Sequence, residues 1–543
     1  MQDHHPHDPP TYLGPLTRRG FLGTGLALAA TAITAPADAI QATPALTRPM
    51  PLAPRTTPPD DLHFAPLVEA ARAIRERTVS CEELTRHLLD RIERHEPALN
   101  AYTTLLADQA LAQARTLDAA AARDQWFGPL HGVPVSIKDS IAIRGVVSTA
   151  GDPDLANFVQ QEDAPVVARL RAAGAVFLGH TNMPMNGDDF QSYNDLFGRT
   201  SNPWDLSRTP GGSTGGGGAA VSAGLSFLST GSDFGGSIRV PSHFCGIFGH
   251  RGTRNVIPTE GHGPPRPGVP PRPKSEESVV GPLARSAADL KLALQVCGGP
   301  VGPMSAAYRW ELPQARGNVL EDYRIGYVVD DPFCRVSSDV RQAYERAVDE
   351  LRAAGARLEE GWPVDDLETT YHAWYYLIAA LLNPELEGPA LAQARALARN
   401  QDGSRAAIWN LAAISPYARY LQANGERLRI QAAWQEWFRT HDAFLMPTTF
   451  VAAFPHDTES YALRWSRILQ TPEGPRDYLD LHVWTSLSGL TGHPVTVAPA
   501  GRTGAGLPVG FQVLGPYMED ATSIDVAANV GEVLGGYTPP PGY

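Results

Sequence analysis

Residues 209–249 read TPGGSTGGGGAAVSAGLSFLSTGSDFGGSIRVPSHFCGIFG, and the fold is decided by how this stretch is read. It holds two glycine-flanked serines, Ser213 in GGSTGG and Ser237 in DFGGSIR, 24 residues apart. Glycine on both sides of a small hydroxyl predicts a tight turn whose backbone N–H groups face something other than their own ladder. Between the turns, Ala219 to Leu228 is small and apolar, which predicts a buried helix. The stretch is therefore expected to present two serines at one site, from turns on either side of a packed helix.

Several chemistries use glycine-rich turns. Gly211-Gly212-Ser213-Thr214-Gly215 formally matches the G-x-S-x-G nucleophile elbow. That motif needs a strand immediately before the serine, whereas SNPWDLSRTPGG reads as a loop from its Asn-Pro and Pro-Gly pairs. An acid and a histidine should also follow; Asp233, Asp289 and His493 are available but nothing singles them out. A phosphate-cradling loop would need Gly-Lys-[Ser/Thr], and no lysine lies between 139 and 273. Close helix packing explains the GGGG run but not two separate Gly-Gly-Ser turns.

Working upstream, GPLHGVPVSIKDSIAIRGV predicts a strand from Val133 to Ile143, with Lys138 in its middle. Arginine fills nearly every cationic role in this chain; the only lysines are Lys138, Lys274 and Lys291. Arginine keeps its proton, whereas a buried lysine can lose one. A shift of about three units below the usual lysine value costs roughly 4 kcal/mol, a cost more readily tolerated for a base than for decoration.

Elsewhere strands and helices interleave. Helical periodicity covers Pro66–Arg94 and Asp108–Ala122, with Ser80 and Glu83 placed as a capping box. Helices are also predicted over Val166–Ala173, Ser286–Val296, Ser337–Ala356 and Asp520–Leu534. Strands are predicted at Ala175–Leu178, Tyr323–Val329, Ala443–Met446, Val495–Ala498 and Val509–Leu514. The proline-rich run 258–277 reads as an ordered loop or lid, and 361–440 as an aromatic-rich helical region that shapes a pocket. This interleaving predicts one α/β domain over 63–543.

Composition sets the limits. With 543 residues the chain buries a substantial core, and a formal charge of −13 argues against nucleic acid or an anionic membrane as partner. The four cysteines, Cys81, Cys245, Cys297 and Cys334, fit no zinc spacing and read as buried thiols. Near the start, Thr17-Arg18-Arg19-Gly20-Phe21-Leu22 opens an apolar run to about Ala35, followed by Ala37-Asp38-Ala39. That is the layout of a twin-arginine-type signal peptide over 1–39, too short an apolar run to span a bilayer. It predicts an exported protein, without stable membrane insertion in the mature form, and residues 40–62 read as a linker.

Lys138 in GVPVSIKD, the GGS-[ST]-GG turn and the G-[ST]-D-x-GGSIR-x-P stretch together resemble the amidase signature family. The likeness runs from about residue 64 to 535 and includes GHPVTVAPAG and LPVGFQVLGP. It implies an α/β/α sandwich around a large mixed, twisted sheet, and a Ser–cisSer–Lys triad. In that triad Ser237 is the nucleophile, Ser213 the bridge and Lys138 the base. The oxyanion hole is implied to be the backbone N–H groups of Phe234, Gly235, Gly236 and Ser237, while Asp233 and Arg239 anchor the turn. The chain departs from the family pattern at Thr214, at Gly249-His250-Arg251-Gly252-Thr253 and at Met185 of Asn182-Met183-Pro184-Met185.

The expected activity is hydrolysis of a small-molecule amide through an acyl-enzyme, with no metal and no organic cofactor. A carbamate, aryl-amide or ester hydrolase with the same triad is the alternative, and an inactive binding scaffold the second; the oligomeric state stays open.

Overall fold

The computed structural model describes residues 59–264, 277–382, 386–399 and 404–543. The expected signal peptide, most of the expected linker and most of the proline-rich run lie outside the described residues. These described residues form one compact unit. Its first turn, Pro59–Phe64, begins inside the expected linker, because Leu62 already packs against the core and its carbonyl accepts from the Ala65 N–H.

An 11-stranded mixed sheet organises the unit. In chain order its strands are β1 (Tyr102–Leu105), β2 (Pro134–Lys138), β3 (Val176–Thr181), β4 (Leu228–Asp233), β5 (Phe248–Arg251) and β6 (Val279–Ala284). There follow β7 (Arg324–Tyr327), β8 (Arg357–Glu360), β9 (Ala443–Pro447), β10 (Val495–Arg502) and β11 (Pro508–Leu514). They lie side by side as β1-β3-β2-β4-β6-β5-β10-β11-β9-β7-β8. The pairs β2–β3, β2–β4, β7–β8 and β7–β9 are parallel; the others are antiparallel. Every residue of β2, β3, β4 and β6 is buried, in both side-chain parities, so both faces of the central sheet are covered. This is the expected α/β/α sandwich.

Local signals hold where side chains specify them. Ser80 accepts from the Glu83 N–H and the Glu83 carboxylate accepts from Ser80 N–H, starting the helix Cys81–Leu99. Ser286 caps Ala287–Cys297, and Asp520–Leu534 forms as read. All four cysteines are free and buried.

Two readings need correction. Strand β2 ends at Lys138 instead of continuing to Ile143. There the Asp139 carboxylate captures the Thr149 N–H and hydroxyl, and the Ile141 N–H turns back to the Lys138 carbonyl. Lys138 thus stands at the carboxyl end of a central strand, where α/β sheets open their crevices. The helix between the two serines is Gly215–Ser222, earlier than read, and Leu228–Asp233 is a strand. LSTGSD has little intrinsic strand preference; pairing with β2 on one side and β6 on the other imposes it.

The glycine run lets this helix lie close to the chain around it. A Cβ on Gly216 would stand 2.5 Å from both the Ala101 carbonyl oxygen and the Asn182 nitrogen. Gly216→Ala should therefore cost about 1–3 kcal/mol in denaturant unfolding. Gly425, exposed inside the helix Tyr417–Trp437 with nothing within 4 Å, provides the control: Gly425→Ala should gain about 0.5–1 kcal/mol.

Candidate active site

The site is assembled at the ends of β2 and β4 and the turns that follow them. Lys138 Nζ lies 2.6 Å from Ser213 Oγ and 3.0 Å from Ser232 Oγ. Lys138 and Ser213 are 1% and 2% exposed, so their contact is shielded from bulk water. Burial lowers the Lys138 pKa to about 7, with the charge of Asp233 opposing the shift. The peptide bond between Gly212 and Ser213 is cis.

Ser237 sits in the second turn, at the head of the short helix Arg239–Cys245. Its carbonyl accepts from the Thr214 N–H at 3.1 Å, which ties the two serine turns together. Ser237 is partly exposed, and its hydroxyl has no hydrogen-bond partner among the described residues. The structure therefore brings Lys138 and Ser213 into direct contact and Ser237 into the same site, but makes no Ser213–Ser237 hydrogen bond. Such bonds commonly tighten only when substrate is present.

Asp233 builds the turn. Its fully buried carboxylate accepts from the Gly236 N–H at 3.0 Å, the Ile238 N–H at 3.0 Å and the Arg239 guanidinium at 2.8 and 3.0 Å. Burial alone would raise its pKa, but Arg239, Arg251 and these donors hold it far below the usual carboxylate range. Arg239 continues to the Thr485 carbonyl at 2.8 Å and to Gln512 Oε1 at 2.7 Å. The expected anchoring role of Asp233 and Arg239 is thus met by direct contacts.

The oxyanion-hole expectation changes in one respect. Gly236 has φ +120°, and its N–H points back to Asp233. The amides of Phe234, Gly235 and Ser237 have no acceptor among the described residues. Sequence cannot foresee this, because the competing acceptor is a side chain whose rotamer is fixed by Arg239.

Further residues around the site escaped the sequence reading. The loop holding Gly187 lies beside Ser213, since a Cβ on Gly187 would be 3.3 Å from Ser213 Oγ. Ion pairs to a distant segment hold this loop: Asp188 with Arg464, and Asp189 with Arg467 at 2.6 Å. On the other side, Gly235 faces His482 and Trp374. Trp374 comes from the helix Leu367–Leu382, inside the region expected to shape the pocket. Apart from the Trp and Tyr content of 361–440, no local signal marks these positions. His493 makes no hydrogen bond with either ring nitrogen, so it is not partnered with Ser213 as a nucleophile-elbow triad would require. Among the described residues no group of His, Cys, Asp and Glu is arranged to hold a metal ion.

The Amidase family model matches residues 83–524. The chain belongs to the amidase signature family. Its relatives include a glutamyl-tRNA(Gln) amidotransferase subunit of Natranaerobius thermophilus, 31% identical, covering 87% of this chain and 96% of that protein. The corresponding subunit of Cupriavidus necator is 34% identical and covers 85% and 95%. Among solved structures, a crystal structure of an amidase superposes with a TM-score of 0.69 at 27% identity, covering 87% of this chain and 100% of that one. This amidase-family chain thus carries the Lys138–Ser213 contact within a family of enzymes that act on C–N bonds.

The lysine's burial makes stability depend on pH. Unfolded, Lys138 holds its proton to about 10.5; folded, it releases it near 7. Between these values the unfolded chain binds more protons, so the wild-type protein gains stability from Lys138 as pH rises. Lys138→Met lacks that gain. Its Tm relative to wild type should be most favourable below pH 7 and fall steadily towards pH 10, as measured by thermal unfolding.

Proposed function

We propose that this protein is an amidase that cleaves a carboxylic amide through a Ser237 acyl-enzyme, with Ser213 and Lys138 as the proton relay. The observation that carries the reading is a buried lysine, its pKa near neutrality, 2.6 Å from a buried serine. Neutral Lys138 takes the proton of Ser213, Ser213 takes that of Ser237, and Ser237 Oγ attacks the carbonyl carbon. Negative charge developing on the carbonyl oxygen is received by the amides of Phe234, Gly235 and Ser237, each worth a few kcal/mol in such sites. The proton passes through Ser213 to the leaving nitrogen, the C–N bond breaks, and water releases the acid from Ser237 by the reverse relay. The same steps serve a carbamate, an aryl amide or an ester.

Ser237→Ala should abolish amide hydrolysis and labelling by a fluorophosphonate, and Lys138→Ala should lower kcat/KM by at least about a hundredfold. The wild-type kcat/KM should rise with pH through about 7 and then level off, as Lys138 loses its proton. Near-full turnover by either variant, or a flat profile from pH 5 to 9, overturns the triad. An inert scaffold would leave Ser237 unlabelled.

A second reading, one component of a glutamyl-tRNA amidotransferase, is favoured by identities of 31% and 34% across nearly the whole length of such relatives. The acidic and basic groups beside the serine turns, Asp188, Asp189, Arg464 and Arg467, are paired with one another. Turnover of small amides by the isolated chain separates the two.

Residues 1–39 are proposed as a twin-arginine-type export signal, which a component of a tRNA-directed amidotransferase has no reason to carry. Replacing Arg18 and Arg19 with lysine should retain the protein in the cytoplasm, and the exported wild type should begin at Ile40. Fractionation and N-terminal sequencing give the answer; a cytoplasmic wild type rejects the proposal.

A further inference from the structure

The first serine turn is gripped from outside by a loop that takes no part in the serine–lysine relay. Ser192 Oγ donates to the Gly211 carbonyl at 3.0 Å and accepts from the Gly215 N–H at 3.0 Å, so one hydroxyl brackets Ser213 on both sides. A Cβ built on Gly212 would fall 2.5 Å from the Asp189 carbonyl oxygen and 2.9 Å from the Gln191 nitrogen. With Gly187 beside Ser213 Oγ, residues 187–192 lie along the whole turn. Residues 188–192 form neither helix nor strand, so side chains must hold them there.

Asp189 is the anchor. Only 3% exposed, its carboxylate accepts from Arg467 Nη1 at 2.6 Å, the Tyr478 hydroxyl at 2.5 Å and the Gln191 N–H at 3.2 Å. Arg467 and Tyr478 are buried as well, and the Tyr478 N–H donates to the Arg467 carbonyl at 3.1 Å. Arg467 Nη2 also donates to the Tyr193 hydroxyl at 2.6 Å, just past the end of the loop. Burial pushes the Asp189 carboxyl above its usual range, and the charge of Arg467 is the largest influence opposing it. A buried carboxylate deprived of its cation is strongly unfavourable, so loss of Arg467 drives Asp189 towards water or towards protonation. Either response loosens the peptide groups packed on Gly212.

We propose that Asp189, Arg467 and Tyr478 are positioning residues for Ser213, keeping its hydroxyl in line between Lys138 and the reacting groups. The proposal rests on the serine–lysine relay above. There Ser213 has two tasks: it takes a proton from Ser237 and later gives one to the leaving nitrogen. The second task matters only when the leaving group is too basic to depart unprotonated. The nitrogen of an anilide needs that proton, whereas 4-nitrophenolate leaves without it. Displacement of Ser213 therefore penalises an anilide more than a nitrophenyl ester of the same acid. Loss of folded protein penalises both equally.

The test compares phenylacetanilide with 4-nitrophenyl phenylacetate in the wild type, Arg467→Met, Arg467→Lys and Tyr478→Phe. Fluorophosphonate labelling of Ser237 is run alongside. In Arg467→Met the anilide-to-ester ratio of kcat/KM should fall about tenfold or more, the scale of a misplaced general acid. For the anilide the loss should fall on kcat, because the proton is delivered only during reaction. Arg467→Lys, which keeps a cation beside Asp189, should recover part of the ratio. Tyr478→Phe removes one hydroxyl, leaves the ion pair in place and should lower the ratio about threefold. Where Arg467→Met does not fold, Tyr478→Phe decides in its stead. Anilide and ester falling in proportion, or neither falling, overturns the inference. A wild type that labels at Ser237 but leaves the anilide intact overturns the inference and spares the relay; absence of labelling overturns the relay itself.

Discussion

Asp233 ties the second serine turn to the rest of the fold. It is a fully buried carboxylate at the end of a central strand, and two kinds of donor converge on it, backbone amides of its own turn and the Arg239 guanidinium, while the Arg251 guanidinium stands 3.5 Å away as a second positive charge. An isolated buried charge would be costly, whereas one met by this many donors is held in a single geometry. Because Gly236 and Ile238 donate to it from either side of Ser237, the carboxylate fixes where that serine points. Arg239 then extends the constraint to Thr485 and Gln512, more than 240 residues further along the chain.

The same charge acts on Lys138. Burial drives the lysine towards neutrality while Asp233 favours its proton, and the balance lies near 7. Were Asp233 less completely neutralised by the arginines, Lys138 would keep its proton more firmly. The anchor of one turn and the protonation of the residue behind the other turn are therefore one electrostatic problem, in which two arginines set the balance.

Much of this could be read from residues alone. Two Gly-Gly-Ser turns and a lysine set among Pro-Val-Ser-Ile and Ile-Ala-Ile mark three side chains that the structure brings to one place. Capping at Ser80 and Ser286 was legible because the partners are three residues away. The strand Leu228–Asp233 was not legible, because glycine and serines give it no strand preference and its neighbours impose it. The commitment of the Gly236 amide to Asp233 was equally hidden, as it depends on which acceptor arrives first in space. His482, Phe190 and Trp465 carry no motif, and they meet only because segments nearly 300 residues apart fold over one another.

By itself the sequence determined the family and the scaffold: an α/β chain of the amidase signature family, with two glycine-flanked serines in turns and a lysine in an apolar strand. Those features are local, set by glycine, by β-branched neighbours and by short-range capping. The tertiary structure alone decided the lowered pKa of Lys138, which amides of the second turn stay unpaired and which side chains stand against Gly235. Each of these depends on burial and on contacts between residues far apart in the chain, and neither quantity exists until the eleven strands have assembled.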